Sequence, residues 1–229
     1  MFRGFKLFTK IWKENIRSYL NQTDVQQAPK TKVYSTMEWN SQETANKIYS
    51  DREIINQYLD DSRLGFYKKV AAFLPEQGVN YDGSRIADVG CGTGHLLLYI
   101  SQDYSPTSLT GYDYSEEALK IARETFHEAS FQYLDIYTGT HEKFNVVFCL
   151  EVLEHLLYPE KALRNLIDMT ILKGFLFITV PDGRQDNFEG HINFWSLESW
   201  KVFMERECNG LQITTGLFDD TTIFTLIRK

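Results

Sequence analysis

Residues 86 to 94 read Ile-Ala-Asp-Val-Gly-Cys-Gly-Thr-Gly, and this stretch constrains the fold more than any other. A short apolar run, Ile86, Ala87 and Val89, has the pattern of a buried strand. It breaks into glycines at alternate positions, Gly90, Gly92 and Gly94, and an apolar helical run, Leu96-Leu97-Leu98-Tyr99-Ile100, follows at once. Strand, glycine turn and helix in that order belong to an α/β sheet that lets backbone approach a nucleotide-like ligand. Missing side chains permit positive φ and close contact, and the helix start offers free N–H groups.

The spacing separates two kinds of ligand. A dinucleotide fingerprint needs G-x-G-x-x-G. Here the third glycine comes one residue early and His95 stands where that fingerprint wants glycine. Asp88 lies inside the motif, where a carboxylate would repel a pyrophosphate but suit a cation. Asp113 ends a second apolar stretch, 19 residues after Gly94, and an acid there can accept both hydroxyls of a ribose. The combination asks for an adenosine-bearing ligand with a positive group and no diphosphate, and S-adenosylmethionine (SAM) fits.

Asp88-Val89-Gly90-Cys91-Gly92-Thr93-Gly94 resembles the first motif of the class I SAM-dependent methyltransferases. Gly111-Tyr112-Asp113-Tyr114-Ser115 resembles the family's ribose-holding second strand, and Tyr133-Leu134-Asp135-Ile136 the third-strand end whose acid meets the adenine amine. Phe148-Cys149-Leu150-Glu151-Val152-Leu153-Glu154-His155-Leu156 is similar to the fourth-strand motif of the ubiquinone-type and sugar-modifying branches. The resemblance covers residues 84 to 229. It implies a seven-stranded Rossmann-like sheet, mostly parallel with a C-terminal antiparallel hairpin, and SAM as cofactor with S-adenosylhomocysteine (SAH) as product.

The strand pattern agrees with that architecture. Apolar runs predict strands at 84–89, 108–112, 130–134, 144–149, 174–180, 210–217 and 221–228, with helices near 94–102, 115–128, 157–170 and 196–207. The last two strands are joined through Asp219-Asp220, too short for a crossover, so they must be antiparallel. Ser196 reads as a helix N-cap with Ser199 at the third position. Three segments are expected: 1–33, 34–82 and 83–229. In the first, Arg3, Lys6, Lys10, Lys13 and Arg17 share one helical face, and Phe5, Phe8, Trp12, Ile16 and Tyr19 another. That basic amphipathic helix suits peripheral membrane contact, or packing on protein. A polar linker, 21–33, follows. The second segment is helical, with breaks near Asp60 and at Leu74-Pro75. The resemblance lays it over the ligand cleft as a cap, with Tyr34 and Trp39 placed to close it.

Net charge is −7 over 229 residues. That argues against a nucleic-acid partner, because phosphate contacts need clustered Lys and Arg. Three cysteines without paired or metal spacing point to a reduced, cytoplasmic compartment. A membrane-surface position through residues 1–20 stays open beside it.

The glycines and Asp88 are assigned to the methionine portion of the cofactor, Asp88 either accepting from its ammonium or ordering the turn. Asp113 is assigned to the ribose. Tyr114, Asp135 and Ile136 are assigned to adenine, and His95 and Glu151 to the cofactor's rim. His155 or His191 is the general base, with Glu154 beside them. Arg184, in the loop after the fifth strand, either pairs with a phosphate or carboxylate on the acceptor or is a solvated turn arginine. The expected activity is O-methylation of a small or carrier-linked metabolite: a sugar, a quinone or a lipid-linked glycan. Two alternatives stand beside it. Glu151, Glu154, His155 and His191 resemble the metal ligands of the small-RNA 3′-end 2′-O-methyltransferases, or the chain is a SAM-binding scaffold without catalysis.

Overall fold

A computed structural model describes residues 39–229. The expected helix at 1–20, the linker and Tyr34 lie outside the described residues. Three helices come first: α1 (Gln42–Ser50), α2 (Arg52–Tyr58) and α3 (Asp61–Glu76). Each starts on a side-chain cap: Ser41 accepts from Thr44 N–H, Asp51 from Glu53 and Ile54, and Asp60 from Arg63. Asp60 is thus the break read from sequence, while Pro75 is accommodated inside the last turn of α3.

Seven strands then form one sheet: β1 (Arg85–Val89), β2 (Ser108–Asp113), β3 (Ser130–Tyr133), β4 (Phe144–Leu150), β5 (Thr170–Pro181), β6 (Gln212–Leu217) and β7 (Thr222–Arg228). Their order is β3-β2-β1-β4-β5-β7-β6. The first five pair in parallel, and β7 inserts antiparallel between β5 and β6. The crossovers run through α4 (His95–Asp103), α5 (Glu116–Thr125) and α6 (Pro159–Met169), and α7 (Leu197–Glu207) leads into the hairpin. As expected, Ser196 caps α7, in a reciprocal capping box with Ser199.

Both faces of the sheet are covered, so successive strand residues enter opposite cores. Ala87, Val147 and Cys149 pack with Leu163 and Leu166 of α6 and Trp200 of α7. Ile86, Val146 and Phe148 pack with Leu74 of α3, Leu97 of α4 and Leu119 of α5. Strand β5 is longer than its apolar run predicts. It begins at Thr170, and the register against β4 shifts between Phe144 and Val146. Lys173 there has φ 64° and a Cβ on Gly174 would meet Asn145 O at 2.8 Å. Such a bulge leaves no hydrophobic signature, so sequence periodicity begins only after it. No helix among the described residues is long and apolar enough to cross a membrane.

Candidate functional site

The strand order reverses between β1 and β4, and the carboxyl ends of the parallel strands open there on a cavity of about 560 Å³. Gly90 and Gly92 line it, with φ of 81° and 49°. A Cβ on Gly90 would lie 2.3 Å from Val152 Cγ2, so only glycine lets the β1 and β4 ends close together. Gly94, φ 78°, sits behind the cavity, where a Cβ would strike Phe131 at 2.8 Å.

Asp113 accepts from Gly92 N–H on one oxygen and from Ser115 N–H on the other, both at 2.9 Å. It therefore orders the glycine turn, a task the sequence had offered to Asp88, and its oxygens keep further lone pairs at the cavity wall. Asp88 lies behind the lining, 3% exposed, with Oδ1 buried and unpartnered. Burial, then repulsion from Asp113, pushes its pKa up to about 8. Tyr114, Asp135 and Ile136 line the cavity, and Asp135 accepts from Tyr137 N–H at 2.8 Å. His95 does not line it. Its Nδ1 lies 2.9 Å from Thr93 Oγ1 and its ring stacks beside Tyr67, 6.5 Å between centroids.

The three N-terminal helices contribute the wall opposite the strand ends. Trp39, Tyr49, Tyr58, Arg63 and Tyr67 line the cavity. The start of this strap is tied down on both sides of the cavity: Gln42 donates to Tyr114 O at 2.7 Å, Ser115 Oγ to Asn46 Oδ1 at 2.8 Å, and Asn40 Nδ2 to Gly190 O at 2.8 Å. From sequence, Tyr58 and Tyr67 fall only in apolar helical stripes, and Arg63 and Tyr49 are not singled out. A signal existed for Arg63: with Tyr67 and Val70 it recurs at spacings of four and three, a cation on an otherwise apolar helical face. Its guanidinium lies 4.8 Å from the centre of the Tyr58 ring.

The i, i+3, i+4 spacing of Glu151, Glu154 and His155 would put all three on one face of a helix, but the chain is not an α-helix there. Strand β4 ends at Leu150, Glu151 takes φ 56°, and only a 3₁₀ turn, Leu153–His155, follows. The left-handed residue separates Glu151 from the other two, so Glu154 and His155 face one way without it. Glu154 is 1% exposed, and both carboxylate oxygens are buried without a hydrogen-bond partner among the described residues. Burial and then the charge of Glu151 push its pKa well above the usual range. His191 is delivered from the loop after β5. Glu154 O accepts from Ile192 N–H at 2.8 Å and from Asn193 N–H at 3.0 Å. The two imidazoles stand 4.5 Å apart, centre to centre. Their Nε2 atoms lie 4.0 Å (His155) and 3.9 Å (His191) from Glu154 Oε1. Burial, and then the neighbouring imidazole of His191, hold His155 below the ordinary imidazole range. Donor atoms of Glu154, His155 and His191 all fall within 4.8 Å of one another, and Glu151 is not part of that group.

Arg184 takes another place than the one expected from its loop. It is held by Asp182, Nε to Oδ1 at 3.0 Å and Nη2 to Oδ2 at 2.7 Å, and does not line the cavity. A carboxylate two residues away and 1% exposed needs that partner, so the guanidinium is spent on its own turn. His127 and His141 are exposed, and Cys91, Cys149 and Cys208 are buried free thiols.

A family model described as a methyltransferase domain matches residues 59–215, from the third helix to the penultimate strand. The chain belongs to the class I SAM-dependent methyltransferases. Among curated relatives, the methyltransferase is 34% identical over 104 residues to the ubiquinone biosynthesis O-methyltransferase of Azoarcus sp., covering 42% of this chain and 44% of the relative. It is 29% identical over 133 residues to the enzyme of the same name from Bordetella bronchiseptica, covering 55% and 52%. The aligned stretch thus spans about half the length of these relatives. The fold is shared with the magnesium protoporphyrin IX methyltransferase of Synechocystis PCC 6803, solved with bound SAM. There the TM-score is 0.62 at 20% identity, covering 90% of this chain and 100% of that one.

Proposed function

We propose that this methyltransferase O-methylates a small or carrier-linked acceptor whose reacting end is a flat, neutral, hydroxyl-bearing ring, as in a quinol. The supporting observation is the corner at Glu154, His155 and His191, where two imidazoles flank a buried carboxylate without a partner. Around it the cavity is apolar: Trp39, Val152, Leu156, Phe188 and Ile192 line it. Arg63 is the one Lys or Arg in the lining among the described residues, so a phosphate-rich RNA end has little to hold it. The names of the curated relatives point the same way.

The residues present fit SAM, because glycine stands where a Cβ would fill the cradle and a carboxylate stands at the second-strand end. Bound there, SAM supplies a methyl on a positive sulfur whose departure leaves neutral SAH. Gly90 and Gly92 admit the cofactor's methionine portion against backbone, and Arg63 takes its carboxylate. Asp113 accepts the ribose hydroxyls, with Tyr114, Asp135 and Ile136 around adenine. On the other side of the β1/β4 crevice, the aromatic walls orient the acceptor ring and exclude water. An imidazole Nε2 takes the hydroxyl proton as the oxygen–methyl bond forms. The basic and aromatic residues that the sequence sets at helical spacing in 1–20 suit a membrane-borne acceptor.

One observation favours a second reading of the same corner. Glu154, His155 and His191 offer two imidazole nitrogens and a carboxylate oxygen, a set that suits Zn²⁺, Co²⁺ or Mn²⁺ better than Mg²⁺. Such an ion would lower the pKa of the acceptor hydroxyl. The deciding experiment measures methyl transfer from labelled SAM to a panel of phenols, quinols and sugars, with and without a chelator. We expect quinol turnover, a loss of about 10²–10⁴-fold in one of His155→Ala and His191→Ala, and SAH affinity within about 2-fold of wild type in both. Full turnover in both variants would refute the imidazole base. Loss on chelation with recovery on Zn²⁺ would establish the metal reading.

A further inference from the structure

Three groups outside the corner set which histidine nitrogens face it: Asn40, the Gly190 carbonyl and Asp186. His155 Nδ1 faces two oxygens, Asn40 Oδ1 at 3.0 Å and Gly190 O at 3.2 Å. The Asn40 amide is oriented by its own Nδ2, which donates to the same Gly190 carbonyl. Nδ1 of His155 must therefore be the donor. His191 Nδ1 is bonded to Asp186 Oδ2, a carboxylate oxygen with no proton to give. Asp186 is itself fixed, its side chain 4% exposed and its Oδ1 accepting from Phe188 N–H at 3.0 Å. A neutral imidazole that donates through Nδ1 carries a bare lone pair on Nε2. Both bare Nε2 atoms then face the partnerless carboxylate of Glu154.

We infer that Asp186 is a positioning residue: through Nδ1 it fixes the tautomer of His191, so that Nε2 presents a lone pair to the cavity. Asn40 and the Gly190 carbonyl do the same for His155. Two lone pairs then meet at one corner beside the Glu154 carboxyl group, a set that selects an occupant bringing a proton or positive charge. An acceptor hydroxyl does this. So does a divalent cation, and the inference holds for both readings of the site.

Replacing Asp186 by Asn gives a directed test. Phe188 N–H still needs an acceptor, so the amide oxygen goes there and the amide NH₂ turns to His191 Nδ1. That donor forces the lone pair onto Nδ1 and the hydrogen onto Nε2. The tautomers are read by long-range ¹H–¹⁵N correlation on the ¹⁵N-labelled full chain at pH 8, with peaks assigned through His155→Gln and His191→Gln. In the wild type both rings should show a protonated Nδ1 and a bare Nε2. In Asp186→Asn the two ¹⁵N shifts of His191 should exchange while those of His155 stay. A wild-type His191 protonated on Nε2 overturns the inference, as does an Asp186→Asn variant whose Nε2 stays bare. Should the variant fail to fold, the wild-type pattern alone decides. The inference rests on the proposed role of this corner, whereas the cofactor reading is tested separately by SAH calorimetry on the same sample. Absent SAH binding would refute the latter and leave the tautomers standing.

Discussion

The two sides of the cavity are built by different means. On the β1–β2–β3 side the parts are backbone and short-range: three glycines within five residues, and Asp113 accepting from the turn itself and from Ser115 two residues on. On the β4–β5 side the parts come from three distant stretches: the Asn40 side chain in the strap, those of Glu154 and His155 after β4, and those of Asp186 and His191 with the Gly190 carbonyl after β5. A cofactor shared across a family can be met by a fixed local motif. An acceptor peculiar to one enzyme is met by loops, which a rigid sheet carries at little cost to the rest of the fold. The difference teaches where to look for specificity in this chain: between the strap and the β5 loop, not at the glycines.

The comparison breaks most readily at Gly90. Gly90→Ala combines a left-handed φ of 81° with a contact 2.3 Å from Val152 Cγ2, and Val152 sits on a β-branched side chain with little room to turn. Stability should fall by roughly 2–5 kcal/mol. Thermal melts with and without SAH measure it, and a variant as stable as the wild type would show that the turn is not tight. Asp113→Ala comes next. It removes charge-assisted hydrogen bonds to ribose and turn, and SAH binding should weaken by roughly 1.5–3 kcal/mol in calorimetry. Unchanged affinity would remove the ribose from Asp113 and with it the contrast between the two sides.

The smallest effect is a pH slope. Asp88 is pushed up to about 8 in the folded chain, against the ordinary aspartate value of 3.8, so it keeps its proton there after the unfolded chain has lost it. Stability from this group is complete below pH 3.8 and falls as pH rises towards 8. Asp113, Glu151 and Glu154 are shifted in the same direction. His155, held below 6.5, opposes them only in acid, so the clean window is pH 6.5–8. Apo-protein melting temperatures should decline across that window, and less steeply in Asp88→Asn. Identical slopes would mean that Asp88 is ionised and solvated in the folded chain.

Much of the fold was legible because its signals are periodic or contiguous. Apolar runs marked all seven strands, and the short connection through Asp219-Asp220 required an antiparallel hairpin, found between β6 and β7. What periodicity missed were backbone events without a hydrophobic mark, the β5 bulge at Lys173 and the left-handed Glu151. Glu151 matters most, since one positive φ separates it from Glu154 and His155 and undoes the helical face that their spacing allowed. Arg184 shows the other failure: a loop cation was read toward the ligand, while a buried Asp182 two residues away claims it.

Sequence by itself determined the sheet, the glycine turn and the family, because each depends on residues a few positions apart whose chemistry has few other uses. Only the tertiary structure decided which histidine nitrogen meets the cavity. That choice rests on Asn40, Gly190 and Asp186, and the separation from Asn40 to His155 is 115 residues. Contacts across such distances leave no spacing to read; they exist only once packing has brought the segments together.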